Sequence, residues 1–345
     1  MTDSTLRLPA EWEPQAAVLI AWPHADTDWA ERLEAVESTY VALAAAVTRF
    51  QPLIIVVADA ALRAHVAAQL QGTQADMARI RFVELPYDDT WLRDSGPITL
   101  RDGDRFQLTD FQFTGWGGKF GAEQDDALIA GLVDAGVFGH AAHKRIDWAL
   151  EGGGIESDGA GTILTTWRCL TQRHPEQSRD DMSAILRDGL HARRVLWLDY
   201  GYLEGDDTDA HIDTLARFAP GDRIVYQACD DAADVHHDEL RRMGEELAAL
   251  RTPDGKPYTL CPLPWAQPIV DDGRRLAASY ANYLIVNGGV LVPAYGDAAD
   301  NEAARIIGEA HPGRVVVQVP CRPLIWQNGS LHCITMQLPA GLIAG

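Results

Sequence analysis

Five polar segments fall at predicted turns or strand starts, where a rigid scaffold can present side chains to one shared site. They are Asp89-Thr90-Trp91-Leu92-Arg93-Asp94-Ser95-Gly96-Pro97, Trp116-Gly117-Gly118-Lys119, Glu151-Gly152-Gly153-Gly154, Asp206-Asp207-Thr208-Asp209-Ala210-His211-Ile212-Asp213 and Asn328-Gly329-Ser330-Leu331-His332-Cys333. Cys333 follows an Asn-Gly-Ser turn that predicts a nearby strand start, from which a thiolate could reach a substrate; Cys169, Cys229, Cys261 and Cys321 read as core fillers. His211 and Asp213 have period-two spacing, which on a strand turns both toward one face, whereas His332 would point away from Cys333 and reads as structural. Asp94, three residues after Trp91, suits a planar cation that stacks on the indole and donates two hydrogen bonds to the acid; Arg93 is the rival partner. Glu151 supplies a third carboxylate ahead of three glycines that read as a flexible turn.

A guanidinium is planar, permanently charged and resonance-stabilised. Attack on its central carbon therefore calls for carboxylates on its nitrogens, a soft nucleophile, and an acid to protonate the departing ammonia. Asp94 and Asp213 supply the first, Cys333 the second and His211 the third. A metal reading of His211-Ile212-Asp213 needs further ligands at suitable spacing, and none is found nearby, so neither metal nor cofactor is expected.

The elements that must position these groups are legible as short apolar runs. Strands are predicted at Ala17–Ala21, Leu53–Val57, Ile80–Leu85, Thr162–Thr166, Val195–Leu198, Arg223–Tyr226, Val290–Pro293 and Val315–Val319. Helical spacing runs over Ala30–Phe50, Asp59–Leu70, Gln124–Ala135, Arg179–Leu190, Asp234–Leu250 and Ala298–Ala310. Four hairpin-like pairs return about every 65–70 residues, a loose ββαβ repeat in a single α/β domain spanning residues 1–345. One pair joins His211–Leu215 to Arg223–Val225.

Composition narrows the function classes. With 29 Lys+Arg against 50 Asp+Glu, the net charge of −21 repels nucleic acid and anionic lipid. No apolar run approaches the roughly 18–20 residues of a membrane span. Five scattered cysteines without a CxxC give no disulfide framework or thiolate zinc site. The first residues, Met1 to Thr5, lack the features of a secretory signal, so the expected address is cytoplasmic.

The ordered motifs Leu8-Pro9-Ala10-Glu11-Trp12-Glu13-Pro14, Ala21-Trp22-Pro23, Asp89 to Asp94, Trp116 to Lys119, Glu151-Gly152-Gly153, Asp207 to Asp213 and Gly329 to Cys333 give the chain a near end-to-end resemblance to the agmatine deiminases and bacterial-type peptidylarginine deiminases. The resemblance implies a five-bladed α/β propeller of ββαβ units around a central site. It implies Cys333 as the nucleophile that forms an amidino-cysteine, His211 as acid then base, Asp94 and Asp213 on the guanidinium nitrogens, Glu151 in support of the histidine, and Trp91 as a wall. Asp207 and the backbone of Ala210, with Trp116, Gly117 and Lys119, complete the expected substrate contacts. The reading Asp207-Thr208-Asp209-Ala210-His211 departs from the Asp-Thr-Asn-Gly-His of many agmatine deiminases.

Agmatine, a dication without a carboxylate, should meet acids at both ends of its site, and Asp207 and Asp209, backed by Glu204 and Asp206, fit that need. The expected function is hydrolysis of agmatine to N-carbamoylputrescine and ammonia, in putrescine synthesis. Peptidyl-arginine or another guanidino compound is the alternative substrate. A metal-dependent ureohydrolase and a noncatalytic guanidinium binder are the rival classes. The substrate is the one expected partner besides a possible homodimer, since propeller edges do not specify an oligomeric state.

Overall fold

A computed structural model describes residues 5–343. Its strands form five main sheets and a small hairpin, Val270–Asp271 with Arg274–Arg275. The first sheet runs Met336–Pro339, Gln15–Ala21, Leu53–Val57, Ile80–Glu84 in spatial order, so a strand late in the chain lies antiparallel to the first one. The other four share one plan, in which two antiparallel strands are joined by a short turn and a helical crossover returns to a third strand parallel to the second. They comprise Ile98–Asp102, Arg105–Gln112 and Ala142–Ala149; Ile155–Ser157, Thr162–Thr166 and Arg194–Leu198; Ala216–Ala219, Arg223–Gln227 and Thr259–Leu263; and Leu284–Val286, Gly289–Ala294 and Val315–Pro320. A parallel return needs a long connection, and the helices Glu123–Asp134, Arg179–Leu190, His237–Ala249 and Asp300–Ala310 provide it.

Burial follows the sequence pattern. Leu53–Val57 is apolar at every position because both faces are covered: Leu53, Ile55 and Val57 enter one apolar cluster, and Ile54 and Val56 another. The following helix, Ala60–Leu70, starts where the Asp59 carboxylate accepts the Leu62 N–H, 2.8 Å away. No helix among the described residues is long and apolar enough to cross a membrane.

One expectation needs correction. The stretch around His211 is not a strand: Ile212–Thr214 is a 3₁₀ turn, and the strand begins at Ala216. Local bonds outcompete the ladder, since the Thr208 hydroxyl accepts the His211 N–H at 3.1 Å and the Thr214 hydroxyl donates to the His211 carbonyl at 2.9 Å. The strands Ala142–Ala149, Thr259–Leu263 and Met336–Pro339 were not anticipated, because charges or prolines interrupt their apolar runs.

Candidate active site

Each sheet is entered through a turn that carries polar groups. Asp94 lies in the helical turn Leu92–Ser95 ahead of Ile98; Glu151 precedes the turn Gly152–Gly154 ahead of Ile155; His211 and Asp213 flank Ile212 ahead of Ala216. Asn282 stands just before Leu284, and Cys333 just before Met336. All of these side chains are buried. The repeat thus delivers five entrances to one place.

Asn282 ties two of them together. Its amide nitrogen donates to Cys333 Sγ and to Asp213 Oδ2, each at 3.2 Å, while its oxygen accepts the N–H groups of His332 at 2.9 Å and Cys333 at 3.3 Å. Cys333 Sγ lies 3.7 Å from Asp213 Oδ2. On the other side, Asp94 accepts Trp116 Nε1 at 2.9 Å and the Gly153 N–H at 3.1 Å, and His211 stands between Asp94 (Nδ1 to Oδ1, 3.5 Å) and Glu151 (Nε2 to Oε2, 3.4 Å). Arg173 fixes Glu151 with an Nε bond of 2.8 Å.

Gly153 is a glycine for reach rather than flexibility. A Cβ there would sit 2.6 Å from Asp94 Oδ1, 2.7 Å from His211 Nδ1 and 3.3 Å from Asp213 Oδ1, so all three atoms converge over its bare Cα. His211 Nδ1 and Asp213 Oδ1 are buried without a hydrogen-bond partner. Gly329 serves the same purpose for Trp91, whose ring would be 2.1 Å from a Cβ.

Burial and charge set the protonation. Burial, the negative neighbour Asp213 and the negative Asp94 push the Cys333 thiol well above its ordinary value, so it rests neutral. Burial would push the His211 imidazole down, but Asp94, Cys169 and Glu151 hold it well above, so it rests charged. Burial raises Asp94 to about 6, against the pull of His211. Glu151 falls to about 2 despite burial, because His211 and Arg173 favour its anion. Asp213, likewise buried, is held below its ordinary value by His332.

A cavity of about 270 Å³ opens above Cys333, with Asp94 and Trp91 in its lining and Trp116, Asp207 and Phe120 around them. Trp91 and Trp116 thus stand where expected. Lys119 does not reach in: its ammonium is committed to the Asp207 carbonyl at 2.5 Å and Asp209 Oδ2 at 2.6 Å. Asp209 is further neutralised by Arg173, 2.6 Å away, so only Asp207 of the expected acid pair faces the cavity. Asp206 is spent within its own loop, on Thr208 and on the Ala210 N–H at 2.7 Å. Ala210 is buried in an apolar cluster with its carbonyl taken by the Thr166 hydroxyl, and Gly117 lies outside the lining. Arg93 is no partner for Asp94; it points to Glu11, 3.9 Å away.

The structure gathers further residues around the candidate site. Glu11 and His332 brace Asp213, His332 bonding Asp213 Oδ2 at 2.8 Å and Glu11 Oε2 at 2.7 Å, so the structural role expected of His332 holds although no strand carries it. Asp28, Asp89 and Arg274 join the cavity lining. Cys169, given as a core filler, is buried but turns its sulfur toward Glu151 Oε2, 3.9 Å away. Asn282 had one available signal: it occupies the same place before the fifth sheet that Asp94, Glu151 and Asp213 occupy before theirs.

Residues 7–339 match the Porphyromonas-type peptidyl-arginine deiminase family. The chain belongs to that family. Among relatives of this deiminase-family chain, an agmatine deiminase of Stutzerimonas stutzeri (strain A1501) is 32% identical, covering 97% of this chain and 96% of the relative. A Porphyromonas gingivalis structure provisionally assigned as an arginine deiminase is 45% identical with a TM-score of 0.91, over 98% of this chain and 99% of the other. A cysteine-to-serine variant of the C. jejuni agmatine deiminase with substrate bound is 31% identical with a TM-score of 0.90, over 98% and 97% of the two chains.

Proposed function

We propose that this chain is an agmatine deiminase, hydrolysing agmatine to N-carbamoylputrescine and ammonia through a covalent amidino-cysteine. The observation that carries the chemistry is the convergence of Asp94 Oδ1, Asp213 Oδ1 and His211 Nδ1 over Gly153, with two of the three atoms lacking partners. A buried polar atom without a partner is costly, and a planar array of N–H donors would satisfy both carboxylates. Full-length agmatine deiminase relatives at 32% identity support the substrate.

The neutral thiol and the acids around it give an order of events. A guanidinium entering beside Asp94 and Asp213 offsets the two charges that hold the Cys333 proton, which then leaves to solvent. The thiolate adds to the guanidinium carbon. His211 gives its proton to the departing nitrogen, ammonia leaves, and the amidino-cysteine remains. Neutral His211 then takes a proton from water as the hydroxide adds to that carbon. Collapse forms the urea carbonyl, breaks the C–S bond and returns the hydroxyl proton to sulfur. Glu151 steadies His211, while Trp91 and Trp116 wall the slot.

One observation favours a second reading. Arg274 lies in the cavity lining, where the α-carboxylate of arginine or a peptide could meet it. Its guanidinium is already engaged by Asn328 Oδ1 at 2.6 Å and by the Trp326 carbonyl, while Asp28, Asp89 and Asp207 suit a second cation. Assaying agmatine, arginine and a blocked arginine peptide side by side decides: agmatine should give ammonia and N-carbamoylputrescine, and preferential turnover of either arginine substrate would replace this assignment. Cys333→Ser should abolish ammonia release while chelators do not lower it; chelator-sensitive release of urea would point to a ureohydrolase instead. The same proposal arranges the five sheets as blades of an α/β propeller within one catalytic domain, at a cytoplasmic address.

A further inference from the structure

We infer that Glu151, Cys169 and His211 form an inhibitory site for a thiophilic divalent cation such as Zn²⁺ or Cd²⁺, distinct from the nucleophile Cys333. Their donor atoms lie within 4.8 Å of one another, and all three residues are buried. Tetrahedral zinc with the usual bond lengths needs N–O and S–O ligand separations of about 3.4 and 3.6 Å. Here His211 Nε2 to Glu151 Oε2 is 3.4 Å and Cys169 Sγ to the same oxygen is 3.9 Å. Both separations lie within about 0.3 Å of those values.

The surroundings resemble those of metal ligands. Arg173 holds Oε1 of Glu151, leaving Oε2 for an ion, and the other ring nitrogen of His211 faces Asp94 Oδ1 at 3.5 Å, an ion-pair separation, so a small shift would give the carboxylate–imidazole bond that orients metal-bound histidines. Gly154 has no side chain where a Cβ would lie 3.6 Å from Cys169 Sγ and 4.0 Å from His211 Nε2, so no side chain from this residue packs against the two donor atoms. Binding expels the thiol proton and the Nε2 proton to solvent and leaves Sγ, Nε2 and Oε2 on the ion. His211 then keeps only the Nδ1 proton of a neutral, metal-bound imidazole, a far weaker acid toward departing ammonia than the imidazolium. That consequence rests on the deiminase reading, whereas binding does not.

The test separates the two. In the full-length Cys333→Ala protein, titration with Cd²⁺ should produce a near-ultraviolet sulfur-to-metal absorption band saturating at one equivalent, and the band should vanish when Cys169→Ser is added. X-ray absorption at the zinc edge of the Cys333→Ala protein should give one sulfur with nitrogen and oxygen ligands, which keeps the question decidable if Cys169→Ser fails to fold. No stoichiometric band, a band indifferent to Cys169→Ser in a folded protein, or a zinc shell without sulfur would overturn the site. With agmatine as substrate, micromolar Zn²⁺ should inhibit reversibly, and Cys169→Ser should raise the inhibitory concentration at least tenfold while Cys321→Ser leaves it in place. Metal binding without any deiminase turnover would refute the proposed function and leave the site standing.

Discussion

The Asn282 side chain holds Cys333, Asp213 and the N–H groups of His332 and Cys333 in one frame. Its loss frees the sulfur to drift from its line of attack, and misplacement by about 1 Å can cost on the order of a hundredfold in rate. Asn282→Ala should therefore lower kcat by roughly that factor while KM changes little; a change confined to KM would show that Asn282 serves binding alone. Asp94 carries a different signature. Its carboxyl titrates at about 6 in the fold against an ordinary 3.8. Below both values folded and unfolded chains hold the same proton, but as pH rises through this window the unfolded chain gives it up first. Above about 6 the fold bears a cost of about 3 kcal/mol. Asp94→Asn should raise Tm at pH 8 and raise it less at pH 4, while activity disappears; equal shifts at both pH values would exclude buried ionisation as the cause.

At the scale of elements, the glycine turn Gly152–Gly154 does what a flexible loop could not, bringing Asp94, His211 and Asp213 against one Cα. Gly153→Ala should keep the far-ultraviolet circular dichroism of the parent yet cost more than a hundredfold in kcat/KM; near-parental activity would mean that the three groups do not close on this point. This turn also marks how much the sequence disclosed. Cys333, His211, Asp94, Asp213 and Glu151 could be picked out because chemistry restricts residue type at turns, and the apolar runs located eight strands. The neighbours could not be read so well. Glu11 meets His332 across most of the chain, and Lys119 quenches Asp209 from another sheet, pairings that depend on tertiary contact and leave no local trace. The strand expected at His211 failed because two threonine hydroxyls captured the backbone first.

Across the whole molecule, the charge of −21 surrounds a cavity that is itself acidic. A dication is drawn toward such a field, and salt weakens the attraction as the screening length falls from about 30 Å at 0.01 M to about 3 Å at 1 M. Agmatine kcat/KM should fall several-fold across that range through KM, with kcat nearly constant. A flat KM would assign recognition to short contacts such as Asp207 alone.

The pairing of Met336–Pro339 with Gln15–Ala21 joins segments from opposite ends of the described residues. Cys333 lies just ahead of the later of these two strands, so the sulfur reaches the acids and the imidazole only once this long-range pairing has formed.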